Sequence, residues 1–244
     1  MVACLCIHGF TGSPAEIKPL TDYLKAHTDW DVLTPTLPGH DKLRHLRNVT
    51  YKDWLVFTES ILTQLLKEDE EVYIIGFSMG GLLAGWLARH HPEVKKLVLL
   101  STAVNYLDWG QLLQDGRKLI AEVKTGPMKE SSVFNRYFGK AKEVPANSTL
   151  QFKKMVDLGR PAFEHIDIPT FIAQGGKDMV VPAEKSVAFL EEKINAPKEI
   201  FQMPDAGHLL CLDAANEILF ERVLSFLKRD FHQVMNEKKA VVFD

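Results

Sequence analysis

The residues best suited to chemistry in this chain are a serine, an aspartate and a histidine that stand far apart. Ser78 lies in the stretch 72–81, VYIIGFSMGG, where a short apolar, β-branched run meets Gly76-Phe77-Ser78-Met79-Gly80 and a helical pattern starts at once. The pattern is strand, sharp turn and helix, with a serine at the apex. Ser78 must take a strained backbone conformation to lift its hydroxyl clear, and the positions two residues either side stand where strand and helix nearly collide. Side chains there would clash. A serine hydroxyl attacks poorly unless a base takes its proton during attack. His208, in Asp205-Ala206-Gly207-His208, is the candidate base, and Gly207 is expected to free its loop so that the ring points back. Asp178, in GGKDMVVP, would fix the imidazole tautomer and stabilise the imidazolium that forms. Together these groups would carry out nucleophilic acyl transfer. A serine in such a turn also caps helices without catalysing anything, so the flanking elements carry the argument.

Those elements can be read from periodicity. Val2–Ile7 reads as a buried strand ending at residues 8–12, HGFTG. Ser13-Pro14-Ala15-Glu16 follows and predicts a helix start with a reciprocal capping box. Pro19 predicts a kink or a late start. Residues 31–34 form a second strand and 35–41 a loop, after which an amphipathic helix turns Trp54, Phe57, Ile61 and Leu65 toward the sheet. The helix after Ser78 carries Gly81, Ala84, Gly85 and Ala88 as a small-residue face that lets it lie close on the sheet. Residues 97–100 are the fourth strand, 170–174 the fifth, and Lys198–Met203 the sixth, with a helix ahead of the sixth and another after DAGH. Strands alternating with helices imply a mainly parallel sheet covered on both faces, an α/β architecture whose functional groups gather at the carboxyl ends of the strands. Residues 105–161 break this rhythm while carrying bulky groups such as Leu107, Trp109 and Phe134, and are expected to form a helical cap inserted between the fourth and fifth strands. The core would then comprise residues 1–104 and 162–244.

Four polar groups fall just past strand ends: residues 8–12 after the first strand, Ser78 after the third, Asp178 after the fifth and His208 after the sixth. Rivals exist for the acid. Asp108 follows the fourth strand and Asp205 adjoins the histidine, whereas Asp167 precedes its strand and belongs to the wrong rim. Among the other histidines, His27, His45, His165 and His232 read as surface or helix residues and His40 as part of a loop. His90 and His91 end a helix, and His8 is expected to shape its loop.

HGFTGSP, GFSMGG, GGKDMVVP and DAGH resemble the motifs of α/β-hydrolase serine hydrolases, most like the small bacterial carboxylesterase and monoacylglycerol-lipase-like branch. The likeness covers nearly the whole chain, the cap only in position. Family members usually carry two strands before the first one here, a departure that touches no motif position. The resemblance implies a Ser, Asp, His order filled by Ser78, Asp178 and His208. It also implies an oxyanion hole from the backbone N–H groups of Phe10 and Met79, two residues that would border the substrate, and it implies no cofactor. The expected activity is hydrolysis of carboxylic esters, short- to medium-chain and including monoacylglycerols, through an acyl-serine intermediate. Thioesters, amides or transfer to an alcohol are the alternatives in the same fold, and a non-catalytic ligand receptor is the alternative from another class.

The whole chain agrees with this reading. Its 244 residues suit one α/β unit, and a net charge of −3 offers nothing to attract nucleic acid or an anionic membrane. No apolar run approaches the ~20 residues of a membrane span. The apolar start lacks the basic region and cleavage site of a signal peptide. Cys4, Cys6 and Cys211 have no metal-like spacing and read as buried thiols, for which a reducing cytoplasm is the expected compartment. Serine at the apex excludes an aspartate nucleophile, and GFSMGG is not the G-x-G-x-x-G of a dinucleotide site.

Overall fold

The computed structural model describes residues 1–105 and 144–231. Residues 106–143, most of the expected cap and with it Asp108, lie outside the described residues, as does the tail from residue 232. Six strands run β1 Val2–Ile7, β2 Asp31–Leu33, β3 Glu71–Phe77, β4 Lys96–Leu100, β5 Thr170–Gly175 and β6 Lys198–Met203. They form one sheet in the order β2-β1-β3-β4-β5-β6, and every pairing is parallel. Helices α1 Lys18–His27, α2 Tyr51–Glu68, α3 Met79–His90, α4 Ala146–Gly159, α5 Ala183–Lys193 and α6 Asn216–Lys228 complete the described elements.

Strand side chains alternate between two cores, as the pleat requires. Leu5, Ile7, Ile74, Leu97, Leu99 and Ile172 face the side that α2, α3, α4 and α5 cover. Cys4, Cys6, Tyr73, Ile75, Phe77, Val98, Leu100 and Phe171 face the side covered by α1 and α6. Burial of an apolar side chain of this size contributes roughly 1.5–3 kcal/mol, so both faces anchor the sheet firmly. Burial on both sides also explains why the central strands read as continuous apolar runs.

Local signals resolve in instructive ways. Pro19 sits in the first turn of α1, where no intrahelical N–H is required, so the late start is realised and the kink is not. The capping box expected at Ser13 does not form. Ser13 makes no side-chain cap hydrogen bond, Pro14–Glu16 is a single 3-10 turn, and the Glu16 carboxylate accepts instead from Gly9 N–H at 3.1 Å. A pairing of that kind caps α2, where Asp53 Oδ2 accepts from Thr50 N–H at 2.7 Å. Helix α4, the described end of the expected cap segment, buries Phe152, Met155 and Val156 in the same core as α3.

The strand order reverses between β1 and β3. The crevice at the carboxyl ends of those two strands is the place where such sheets bind ligands.

Candidate active site

Ser78 occupies that crevice, between the last residue of β3 and the first of α3. Its φ of 54° and ψ of −115° lie in a region L-residues rarely visit, at a cost of about 1–3 kcal/mol. Neighbouring backbone holds it there. Ser78 N–H donates to Leu100 O at 2.9 Å, while its carbonyl accepts from Gly81 N–H at 3.0 Å and Ala103 N–H at 3.3 Å. The flanking glycines are needed for space: a Cβ on Gly76 would stand 2.4 Å from Gly80 O, and one on Gly80 would stand 2.1 Å from Ile7 O.

The other candidates come to this serine over long stretches of chain. His208 Nε2 lies 3.1 Å from Ser78 Oγ, and His208 Nδ1 lies 2.7 Å from Asp178 Oδ2. A carboxylate there can only accept, so Nδ1 carries the proton and Nε2 presents its lone pair to the serine hydroxyl. Asp178 is tied down on its other sides as well. Its Oδ1 accepts from Val180 and Val181 N–H at 2.8 and 2.9 Å, and Gln174 Nε2 donates to Oδ2 at 2.8 Å. Burial alone would raise the Asp178 pKa, but the electrostatic pull of the His208 ring and the hydrogen bonds from His208, Val181 and Val180 outweigh it and hold the carboxyl below its usual range. The group is a buried, ionised acceptor.

Asp205 is elsewhere: it is exposed and pairs with Lys177 at 2.6 Å. Asp167 is exposed ahead of β5. Gly207 does not play the part expected of it, since its φ is not positive and an added Cβ would meet nothing. The requirement falls on Gly175, where a Cβ would stand 2.2 Å from Gly207 O. The His208 loop passes closely over the end of β5, and the hydrogen bond from Nδ1 to Asp178 holds the ring. Gln174 was missed from sequence. A buried amide ending an apolar strand run was the available signal.

Two backbone N–H groups were expected to face the serine. That of Met79 is the first of α3 and has no carbonyl one turn back to bond. Phe10 follows β1, in a loop where Thr11 has a φ of 59°, and its ring stacks on Phe152 of α4 with centroids 5.0 Å apart. His8 spans from this loop to the next: its Nε2 accepts from Leu37 N–H at 3.0 Å and its Nδ1 lies 2.9 Å from Gly9 O. Burial first, then the neighbouring His40 ring, pushes the His8 pKa down to about 3, so it stays neutral and serves as a strut between loops. Among the described residues no group of His, Cys, Asp or Glu is arranged to hold a metal ion, and no helix is long and apolar enough to cross a membrane.

Comparison with known proteins agrees with this architecture. The chain is 27% identical to a thermostable monoacylglycerol lipase of Bacillus sp. (strain H-257), over 93% of this chain and 91% of that one. It is 22% identical to a carboxylesterase of Bacillus subtilis (strain 168), over 93% and 92% of the two chains. A solved structure of metagenome-derived lipolytic enzymes, reported as LipS and LipT, superposes with a TM-score of 0.77 at 21% identity, covering 94% of each chain. The model of the Alpha/beta hydrolase family matches residues 4–222, a span that takes in all four strand-end loops described above. The chain belongs to the alpha/beta hydrolase family.

Proposed function

We propose that this alpha/beta hydrolase cleaves carboxylic monoesters of short to medium acyl chain, monoacylglycerols included, through an acyl-enzyme on Ser78. The observation that carries the reading is the unbroken hydrogen-bonded line from Ser78 Oγ through His208 to Asp178, ending on a serine held at positive φ. In the first half-reaction Ser78 Oγ bonds to the ester carbonyl carbon while its proton passes to His208 Nε2. Asp178 stabilises the imidazolium without taking a proton itself. The carbonyl oxygen becomes an oxyanion, for which the N–H groups of Phe10 and Met79 are the donors; losing one such donor typically costs about 2.7–4 kcal/mol in the barrier. The C–O bond to the alcohol then breaks as His208 returns its proton to the leaving oxygen. Water repeats the sequence in the second half-reaction, giving up a proton to His208 and releasing the carboxylic acid.

The substrate range rests on the apolar groups around this serine and on the relative named a monoacylglycerol lipase. Phe10, Met79 and Phe152 belong to the apolar core on the face of the sheet that α3 covers, and an apolar pocket favours each added methylene by about 0.8 kcal/mol until it is full. We assign the segment 105–161, as a cap, to setting that limit.

The test is labelling by a fluorophosphonate probe, together with kcat/KM across p-nitrophenyl esters from acetate to palmitate and beside emulsified triolein. Wild type should label and should peak below the long chains. Ser78→Ala should neither label nor turn over, losing at least about a thousandfold. Substantial activity in Ser78→Ala would sink the nucleophile assignment, and a rate climbing steadily to palmitate or jumping at the oil–water interface would sink the substrate range.

A further inference from the structure

The loop after β1 is held by buried polar contacts centred on Gly9. Gly9 lies directly against Ser78: a Cβ built on Gly9 would stand 3.2 Å from Ser78 Cβ and 3.4 Å from Glu16 Oε2. Its two polar groups are held from opposite sides. Gly9 O accepts from the His8 ring at 2.9 Å and from Gly12 N–H at 3.3 Å, and Gly9 N–H donates to Glu16 Oε2 at 3.1 Å. The peptide bond is planar and trans, so the direction of Gly9 C=O dictates the opposite direction of the Phe10 N–H across the same bond.

Glu16 itself is an unusual side chain to find here. Carboxylates are rarely buried without a task, yet Glu16 is only 3% exposed. Its carboxylate fills the hollow that Gly12 leaves, since a Cβ on Gly12 would stand 2.0 Å from Glu16 Oε2 and 2.2 Å from Glu16 Cδ. The three atoms nearest to such a Cβ all belong to Glu16, and the φ of residue 12 is not positive. The loop also holds Thr11 at a φ of 59°, a conformation that persists only where surrounding contacts impose it.

We propose that Glu16 is a positioning residue for the reaction: its buried carboxylate clamps Gly9 N–H on the His8–Gly9 plane and packs against Gly12, whose N–H holds Gly9 O on the next plane, and so steadies the loop in which the Phe10 N–H faces the developing oxyanion. This rests on the assignment of Ser78 as nucleophile and Phe10 as donor. Glu16 touches no reacting atom. Removing it leaves the substrate pocket unchanged and mis-aims a donor that matters only in the transition state. The loss therefore falls on kcat and spares KM.

The experiment measures kcat and KM for a p-nitrophenyl ester in Glu16→Ala, Glu16→Gln, Gly12→Ala and the Gly12→Ala/Glu16→Ala double variant, each shown folded by circular dichroism. Ser78→Ala runs beside them. Glu16→Ala should lose at least about tenfold in kcat with KM within about twofold, because a mis-aimed oxyanion donor forfeits part of what a deleted one does. Glu16→Gln keeps an acceptor for Gly9 N–H and should stay within about threefold of wild type. Gly12→Ala should push the carboxylate out and lower kcat in the wild-type background, yet add nothing to Glu16→Ala, since the two changes act on one contact. Should Glu16→Ala not fold, Gly12→Ala and Glu16→Gln carry the test alone. If Ser78→Ala is inactive while Glu16→Ala keeps kcat within about threefold, the clamp is overturned and the proposed reaction stands. If Glu16→Gln falls as far as Glu16→Ala, the hydrogen bond to Gly9 is not what matters and the clamp is again overturned. If Ser78→Ala itself turns over, the reaction scheme fails and this inference with it.

Discussion

At the amino end of the sheet, Lys96 opens β4 with its ammonium buried: Nζ donates to Leu227 O at 2.6 Å and sits 4.8 Å from the centroid of the Tyr73 ring. At the carboxyl end, Ser78 and His208 are buried too, and the Asp178 side chain is fully covered where it meets His208. Both rims thus take polar groups out of water, but the backbone treats them differently. The three non-glycine residues with positive φ among those described, Thr11, Ser78 and Ser101, follow β1, β3 and β4 at the carboxyl end. The polar pairing around Lys96 needs no such strain. A buried lysine on the last carbonyls of a helix offsets its own burial and fastens α6 to the sheet, which is a structural task. Strain appears where groups must be held in an arrangement that does not relax. Position along the strands therefore separates polar burial that holds the fold from polar burial at the site proposed for chemistry.

Three measurements would break or sharpen that contrast. The largest effect is expected from Asp178→Asn, which keeps an oxygen for Val180 and Val181 N–H but loses the acceptor that holds the His208 tautomer. Its kcat should drop by about 10³–10⁴ with the thermal midpoint little changed, whereas Asp205→Asn should leave the rate unaltered. If Asp205→Asn carries the loss instead, the acid at the carboxyl rim is misassigned.

The second concerns acid. Burial pushes His8 down to about 3 and His40 to about 4, so between the ordinary ~6.5 and those values the unfolded chain binds protons that the folded chain refuses. Stability should accordingly fall as pH drops below about 6.5, by up to about 1.4 kcal/mol per pH unit for each imidazole, and the loss is complete once pH passes the folded values. Urea unfolding at a series of pH values from 7 downward measures it. A flat profile would mean that burial does not hold these imidazoles neutral.

The smallest effect is expected from Lys96→Met at the amino rim. It keeps the apolar stem and removes the charged donor, leaving Leu227 O unpaired, and should cost about 2 kcal/mol of stability with kcat unchanged. Calorimetry and an ester assay on the same preparation distinguish the two readouts. A loss of rate at constant stability would erase the difference between the rims.

Much of this was legible in the sequence because it is local. Val2–Ile7 was readable as a buried strand from its apolar run ending at a turn-rich segment. The glycines around Ser78 announce a strand and a helix in near collision, since an atom missing at Gly76 or Gly80 is a demand made within a few residues. What the sequence could not weigh were demands made across the fold. Ser13 and Glu16 carry the spacing of a capping box, and only tertiary structure sent the carboxylate to Gly9 instead, because the hollow at Gly12 lies within its reach and excludes water. Gly207 looked like the flexible member of its loop, while the constraint fell on Gly175, one helix and one strand earlier in the chain, where the loop passes overhead. Which carboxylate meets His208 was likewise undetermined by spacing: Asp178 and Asp205 both stand near strand ends, and the meeting was decided by the packing that buries one and leaves the other in solvent with Lys177. Periodicity records what each residue asks of its neighbours in the chain. Hydrogen-bond partners of buried groups are settled by which distant segments arrive, since desolvation makes each unmet group costly.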